Sequence, residues 1–549
     1  MTKYKLRMHV LGYQHNKEYN ESINKWRDRL FKRGEEFDFP AKSTAFKFIV
    51  QNSPVFAGIY ERGEQKVDIQ DKYKRLICHQ GIVVPDPKLG FFENADGKVS
   101  LDSMPLRGLH RNGPYDQRLN IGNGIERLHA AVICPKLEAS LLERFLSGID
   151  CSHSPQRGHK EEYLVPYPGF TSTFKMSVLM PNPRDTSWLE IPEIDSALDE
   201  KEGSLILARK VCDAVSSISS RSQVPIIIYI PERWRKWWRF ETENEIFDVH
   251  DFVKAFAAKR GIATQFINEK TIRYQDKCRI WWWLSIALYT KAIRTPWILD
   301  ALDPSSAYVG LGYSVNRKSD TNQQIILGCS HIYNAQGQGL QFRLNRVSDP
   351  IFRGKNPFLS FEDARKVGET IRTLFWKAHL KLPNRVVIHK LTPFILEEQK
   401  GLMAGLAGVN ELELIEINHE PSLRYLSSIF THKGIEIARY PIKRGTVIKL
   451  SDYEALLWIH GSAEAVKPNW TYFQGKHRIP GPVVIRRYAG KSDIATIATE
   501  ILGFSKMDWN SGDLYGRLPA TVQSSKRIAG IGSLLSGSYT NTPDSFRRL

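Results

Sequence analysis

His250 and Lys254 stand four residues apart in the stretch DVHDFVKAFAAKRGIATQ, Asp248 to Gln265. At helical pitch that spacing sends both side chains out of one face. Asp248 is of the type that caps a helix start, and Gly261 is of the type that closes a helix end at C′. Gln265 follows in an extended segment, QFIN. A cation, an imidazole and an amide converging near a helix start make an anion site. A terminal phosphate carries close to two negative charges near neutral pH. Lys254 and a second lysine, Lys291 of KAIRTPWIL, would neutralise them. His250 can donate from its ring and stack on a first base, and Gln265 donates an amide N–H without repelling the anion.

These side chains need elements to position them. Alternating patterns run from about residue 106 to 302. RLHAAVICP and VPIIIYIP are strand patterns, KLEASLLERFLSGI and SLILARKVCDAVSSI are helical, and the 248–261 helix and QFIN come next. Apolar runs interleaved with amphipathic helices predict a parallel, doubly wound sheet. Ligands of such sheets sit at the carboxyl ends of strands, beside helix N-termini. From about 303 to 549 the pattern changes. SSAYVGLGYSV, QQIILGCSHIYN and GLQFRLNRV read as successive strands, then a helix (SFEDARKVGETIRTLFWKAHL) and the strand RVVIHKL. That order is RNase H-like. Residues 1–105 read as a small α+β region of unknown role. Its helix carries Ile23, Trp26 and Leu30, and it has a hairpin around Arg62-Gly63 and a turn at Ala95 to Gly97.

Composition bounds the function. The 549 residues are 42% hydrophobic and 25% charged, as in ordinary globular protein, and the length suggests several domains. Lys and Arg number 77 against 59 Asp and Glu, a net of +18, which points to a polyanionic partner. MTKYKLRMHV lacks an apolar signal core, and no apolar run is long enough to span a membrane, so a cytoplasmic protein is expected. Six cysteines in this length are no disulfide framework.

Here the residues resemble a known family. HDFVKAFAAKRGIATQ, then KAIRTPWIL, then AYVGLGYS resemble the middle-to-PIWI (MID–PIWI) junction of Argonaute proteins. RVVIHKLTPF and ILGFSKMDWNSGDLYGRLPATVQSSKRIA resemble later PIWI segments, and MPLRGLHRNGPYD resembles the start of short prokaryotic members. The likeness covers about residues 100 to 549. It implies that His250, Lys254, Gln265 and Lys291 bind the 5′-phosphate of a guide strand. In many members the terminal carboxylate, here Leu549, helps hold a divalent ion such as Mg²⁺ on that phosphate. Where the family has Gly-Gly after the lysine, this chain has Ile293-Arg294.

The resemblance also decides what to expect of catalysis. RNase H-like nucleases hold two metals between carboxylates. The first aspartate position of PIWI falls on Gly312 and the second on Leu391, neither able to ligate a metal. Glu397 and Glu398 come late and read as an exposed helix start. Asp508 and Asp513 fall near the fourth ligand but cannot make a site alone. The expectation is a non-slicing protein that senses invading plasmid or phage nucleic acid, guided more by RNA than DNA and aimed more at DNA targets. The family implies a separate APAZ-containing effector, TIR-like, sirtuin-like or a nuclease, and oligomerisation on activation. The rivals are a stand-alone nucleic-acid-binding protein and an active RNase H-fold nuclease.

Other features carry less. Cys151-Ser-His153 with His159 fits no strong zinc spacing. Cys329 and His331 read as core and turn residues, and Gly122 to Gly124 lacks the context of a phosphate loop. Trp281, Trp282 and Trp283 read as buried packing. The Trp234 to Trp238 run, WRKWW, reads as either a base-stacking platform or packing under a loop.

Overall fold

The computed structural model of the chain describes Ile69–Gln70, Leu76–Ile77 and residues 81–532, apart from short breaks of which the longest are 317–323, 333–340 and 420–427. The helix around Trp26, the hairpin at Arg62-Gly63, the Gly122 to Gly124 run, His159 and Leu549 lie outside the described residues. So do the side chains of Cys329 and His331. The chain divides into two compact units, one of residues 88–414 with 506–549 and one of 1–87 with 415–505.

The first unit opens on a three-stranded antiparallel sheet. Leu89–Glu93 pairs with Val99–Asp102, Gly97 before the second strand takes φ 77°, and Ile298–Leu299 pairs on the other side; Ala95 and Asp96 of the expected turn lie outside the described residues. A parallel sheet comes next, built from β1 (Ala131–Pro135), β2 (Trp188–Ile191), β3 (Ile226–Ile230) and β4 (Thr264–Asn268). Its order is β4-β3-β1-β2 and every pairing is parallel. All five residues of β1 and of β3 are buried. That is why AVICP and IIIYI are continuous apolar runs and not alternating ones. α1 (Glu200–Ser219) lays Leu207, Val211, Val215 and Ile218 on this sheet. Because β2 and β3 leave β1 on opposite sides, the strand order reverses there, as at the ligand-binding crevice of open α/β sheets.

α2 (Val249–Ala258) follows β3, and α3 (Lys277–Lys291) follows β4. The second layer of this unit is mixed. β5 (Ser306–Asn316), β6 (Gln324–Ile332) and β7 (Gln341–Arg346) form an antiparallel meander. α4 (Phe361–His379) returns the chain to β8 (Arg385–Lys390), which pairs parallel with β5. The order β7-β6-β5-β8 is the RNase H-like arrangement. α5 (Leu396–Gly405) packs on α4, and α6 (Ala520–Gly532) lies across β5 and β6.

In the other unit, Gly81–Val83, Thr446–Lys449, Glu454–Leu457 and Val483–Ala489 are successive antiparallel neighbours. Buried Arg444 ties their connections. Its guanidinium donates to Asp86 at 2.8 Å, to the Ile459 and Leu502 carbonyls, and to Ser505.

Among the described residues Cys134, Cys151, Cys212 and Cys278 are free thiols. No described helix is long and apolar enough to cross a membrane.

Candidate functional site

α2 begins as its sequence dictates. The Asp248 carboxylate accepts the Asp251 backbone N–H at 3.2 Å. Val249, Val253 and Ala257, spaced four apart, bury in the sheet's core. The neighbouring stripe carries His250 and Lys254. At the far end the Gly261 N–H donates to the Ala258 carbonyl and the Ile262 N–H to the Ala257 carbonyl. That is the Schellman pattern with Gly261 at C′, where its φ of 68° would strain a side-chain-bearing residue.

The four residues picked out in the sequence meet at this helix. Lys254 is only 7% exposed and its ammonium donates to the Thr264 carbonyl. Lys291, the last residue of α3, is 4% exposed and donates to the Gln265 side-chain oxygen at 2.9 Å. The Gln265 amide nitrogen donates to the Phe266 carbonyl at 3.0 Å. His250 is partly exposed, with Nδ1 2.9 Å from the Asp251 carboxylate. Its ring lies 4.9 Å from Phe266 and 6.2 Å from Trp238, and those two meet edge-on at 5.5 Å. A partly open cluster of rings, tilted against one another, therefore adjoins two buried lysines, a setting in which a terminal base and its phosphate could be held.

Several contributors were not visible as such in the sequence. α6 packs against α2. Its Arg527 lies close enough to lower the pKa of both lysines. Arg527 approaches the Asp508 carboxylate at 4.0 Å, and Gln523 donates to the same oxygen at 2.9 Å. Asp508 thus lies among the charges that act on Lys291. Asp513 accepts from the Tyr163 hydroxyl at 3.0 Å and lies 3.7 Å from Arg279. The turn after Lys291 keeps a left-handed residue although the glycines are gone, since Ile293 takes φ 59°. It is held from outside by half-buried Asp116, which accepts from the Tyr289 hydroxyl and from the Thr295 N–H at 2.8 Å. Trp297 anchors the end of the turn by donating to the Lys506 carbonyl at 3.0 Å.

The WRKWW run divides between its two alternatives. Trp234 and Trp237 are core residues, and Trp238 faces His250. Trp281 stacks on Phe145 at 4.6 Å and Trp282 donates to the Val165 carbonyl, so both are packing residues. His153 stacks on Trp281 with its Nε2 against the Gly148 carbonyl.

Electrostatics give the pocket a pH signature. Burial, then the Arg527 cation, brings Lys291 from 10.5 to about 8, with Asp508 pulling the other way. Burial, then Lys291 and Arg527, pushes Lys254 well below the ordinary amine range. A bound phosphate would favour the charged amines, so binding above pH 8 must take up protons. The preference for a phosphorylated end should therefore decline as the pH rises through about 8. Stability of the empty protein should move the other way. With a lowered folded-state pKa, the unfolded chain holds more protons between about 8 and 10.5, so this lysine's contribution to stability rises with pH across that window. Binding ratios and melting temperatures measured across it check both signs. A preference that grows above pH 8 would refute this account.

The positions of Gly312 and Leu391 are equally well defined. The β5–β8 register pairs Gly310 with His389 and Leu311 with Lys390, which brings Leu391 level with Gly312. A Cβ at Gly312 would come 2.7 Å from the Ser525 carbonyl carbon and 2.8 Å from the Lys526 nitrogen, so α6's backbone fills the place of a side chain. On this face His389 is fully buried against the Thr521 hydroxyl at 2.9 Å, and burial drives its pKa down to about 3.

The opposite face corrects one expectation. Glu398 is not at an exposed helix start; its side chain is 1% exposed. It pairs with Lys390 at 2.6 Å and accepts from the Tyr313 hydroxyl and from the Leu359 and Ile395 N–H groups. Rings of Tyr313, Phe358 and Phe394 surround the Lys390 ammonium at 4.8 to 5.3 Å. Glu397 is half-exposed, 3.8 Å from Arg353.

No protein-family profile and no curated protein matches the sequence. Solved structures do match. Clostridium butyricum Argonaute, solved with a guide DNA (5′ deoxycytidine) and a 19-mer target DNA, superposes with a TM-score of 0.58 at 14% identity. That match covers 98% of this chain and 62% of that one. Aquifex aeolicus Argonaute gives 0.53 at 15%, covering 91% and 59%, and Drosophila Piwi 0.55 at 14%, covering 90% and 59%. The chain thus spans about three fifths of each of these proteins. At such identities the likeness speaks for the fold, and the fold of this chain is the MID–PIWI architecture of the Argonaute proteins.

Proposed function

We propose that the chain is a short, non-slicing Argonaute that holds the 5′-phosphate of a guide strand and uses the guide to recognise complementary invader nucleic acid. The observation that carries this is the convergence of buried Lys254 and Lys291 with Gln265 beside the partly open ring of His250. Base pairing supplies sequence specificity, and the basic protein grips backbone and guide end, so affinity should fall steeply with salt. RNA is the proposed guide and DNA the proposed target, as the resemblance to short prokaryotic members implies. The same resemblance supports a cytoplasmic role in immunity against plasmids or phage, through an APAZ-containing effector protein activated on recognition. The proposal that this chain does not cut rests on Gly312 and Leu391, and on the helix backbone occupying the space at Gly312.

One preparation tests the proposal. Purified protein should carry short nucleic acid of uniform length with 5′-phosphates, degraded by ribonuclease and not by deoxyribonuclease. Given a complementary target and Mg²⁺ or Mn²⁺, it should leave that target intact. Heterogeneous or absent nucleic acid would favour a stand-alone binding protein, and a cleaved target would restore the nuclease reading.

A further inference from the structure

We propose that the hairpin formed by Ser462–Glu464 and Thr471–Phe473 is a second nucleic-acid contact, where the exposed indole of Trp470 stacks on an unpaired base of a single strand and Lys467 meets the neighbouring phosphate. This rests on the reading of the chain as a nucleic-acid-binding protein and not on the guide-end pocket, since it asks for no 5′-phosphate.

The hairpin holds that ring out. Its strands pair antiparallel, Ser462 with Phe473, Ala463 with Tyr472 and Glu464 with Thr471. The stem is anchored. Tyr472 and Phe473 are buried, the Phe473 ring lies 5.4 Å from Tyr440, and the Ser462 N–H donates to the Ile442 carbonyl at 2.9 Å. The loop closes on its own backbone. The Ala465 N–H donates to the Trp470 carbonyl at 3.2 Å, and the Trp470 N–H donates to the Lys467 carbonyl at 3.1 Å. Between them Pro468 brings a fixed φ, and Asn469 takes φ 65°, a left-handed setting that asparagine tolerates. None of these bonds uses the indole. Trp470 is 55% exposed, so the fold neither hides the ring nor depends on it, yet the closed loop fixes where it stands. A ring presented already ordered loses little entropy on binding.

The surroundings name the ligand. The Lys467 ammonium lies 4.8 Å from the indole centroid. Among the described residues no other ring or cation packs on that indole, and its N–H has no acceptor. Exposed Lys443 bridges to Ser462, and neither it nor Lys467 pairs with a carboxylate among the described residues. In sequence the chain runs on as QGKHR, so residues 462–478 carry Lys467, Lys476 and Arg478 against the single acid Glu464. A cation beside an open π-face suits single-stranded nucleic acid, because the ring takes any base and the cation takes the backbone. A duplex hides its base faces. A stable protein interface needs roughly 800 Å² a side, far more than one ring supplies, whereas one ring is enough for one base.

Fluorescence anisotropy on the full chain, freed of copurified nucleic acid in high salt, tests this with three 5′-hydroxyl probes: a single strand, the same strand made abasic, and a blunt duplex. Trp470→Ala should weaken single-strand binding about tenfold, while Trp470→Phe keeps most of it. Binding of the abasic strand and of the duplex should change less than about twofold in either variant. Lys467→Gln should flatten the salt dependence by about one phosphate contact. Equal single-strand affinity in the parent and Trp470→Ala overturns the contact and leaves the ring to another partner, such as a protein. A loss shared by the abasic strand or the duplex overturns stacking. A matched 5′-phosphorylated strand separates this inference from the guide-end reading. If the parent shows no phosphate preference while Trp470→Ala still loses affinity, the pocket fails and the hairpin contact stands. If the preference is present and Trp470→Ala is neutral, the hairpin contact fails and the pocket stands. A parent that binds no single strand overturns both.

Discussion

A Lys254→Ala, Lys291→Ala protein should bind 5′-phosphorylated and 5′-hydroxyl oligonucleotides alike, whereas the parent prefers the phosphate. Each lysine would give a charge-assisted hydrogen bond worth about 1.5 to 3 kcal/mol. Losing both removes roughly 3 to 6 kcal/mol, at least a hundredfold in the ratio of dissociation constants. Folding should not suffer in step. In the empty pocket both ammonium groups are buried, and among the described groups that act on Lys291 two are charges of opposite sign, Arg527 disfavouring and Asp508 favouring its charge. Removing two such charges relieves desolvation and their mutual repulsion, offsetting the hydrogen bonds to Thr264 and Gln265. The melting temperature of the variant should hold or rise while the preference disappears. A retained preference would dispose of the site.

Glu398→Ala should do the reverse, harming the fold first. It strands the Lys390 ammonium in a side chain that is 1% exposed and removes the acceptor of the Tyr313 hydroxyl and of two backbone N–H groups. Breaking one partner out of a buried ion pair costs about 3 to 5 kcal/mol. Denaturant titration should show the loss as a lowered midpoint with the slope unchanged. Joint replacement of Lys390 and Glu398 by methionine should recover much of it, since no lone charge then remains. A loss below about 1 kcal/mol for Glu398→Ala would mean that the pair is solvated after all.

These two sites show what a linear sequence gives away. The α2 cap, the four-residue spacing and Gly261 are local facts, so the helix and its two chemical side chains are legible from DVHDFVKAFAAKRG alone. Lys291 becomes legible only with the family pattern around it, because it comes from another helix. Nothing near Arg527 in the sequence says which charge it will face; α6 packing on α2 decides that. Glu398 fails for the same reason in the other direction. LEEQK looks like a solvent-facing first turn, and the partner that makes burial of Glu398 tolerable, Lys390, ends the preceding strand. Gly81–Val83 pairs with Thr446–Lys449, a neighbour far along the chain that no periodicity announces.

Helix α6 has one more consequence, for how freely position 312 can vary. Its backbone at Ser525 and Lys526 occupies the space beside Gly312, and the very next residue, Arg527, acts electrostatically on Lys254 and Lys291. Any side chain placed at 312 would press on that stretch of helix and so on the setting of Arg527. One glycine packed against one helix thus ties a position on β5 to the charges around α2 and α3.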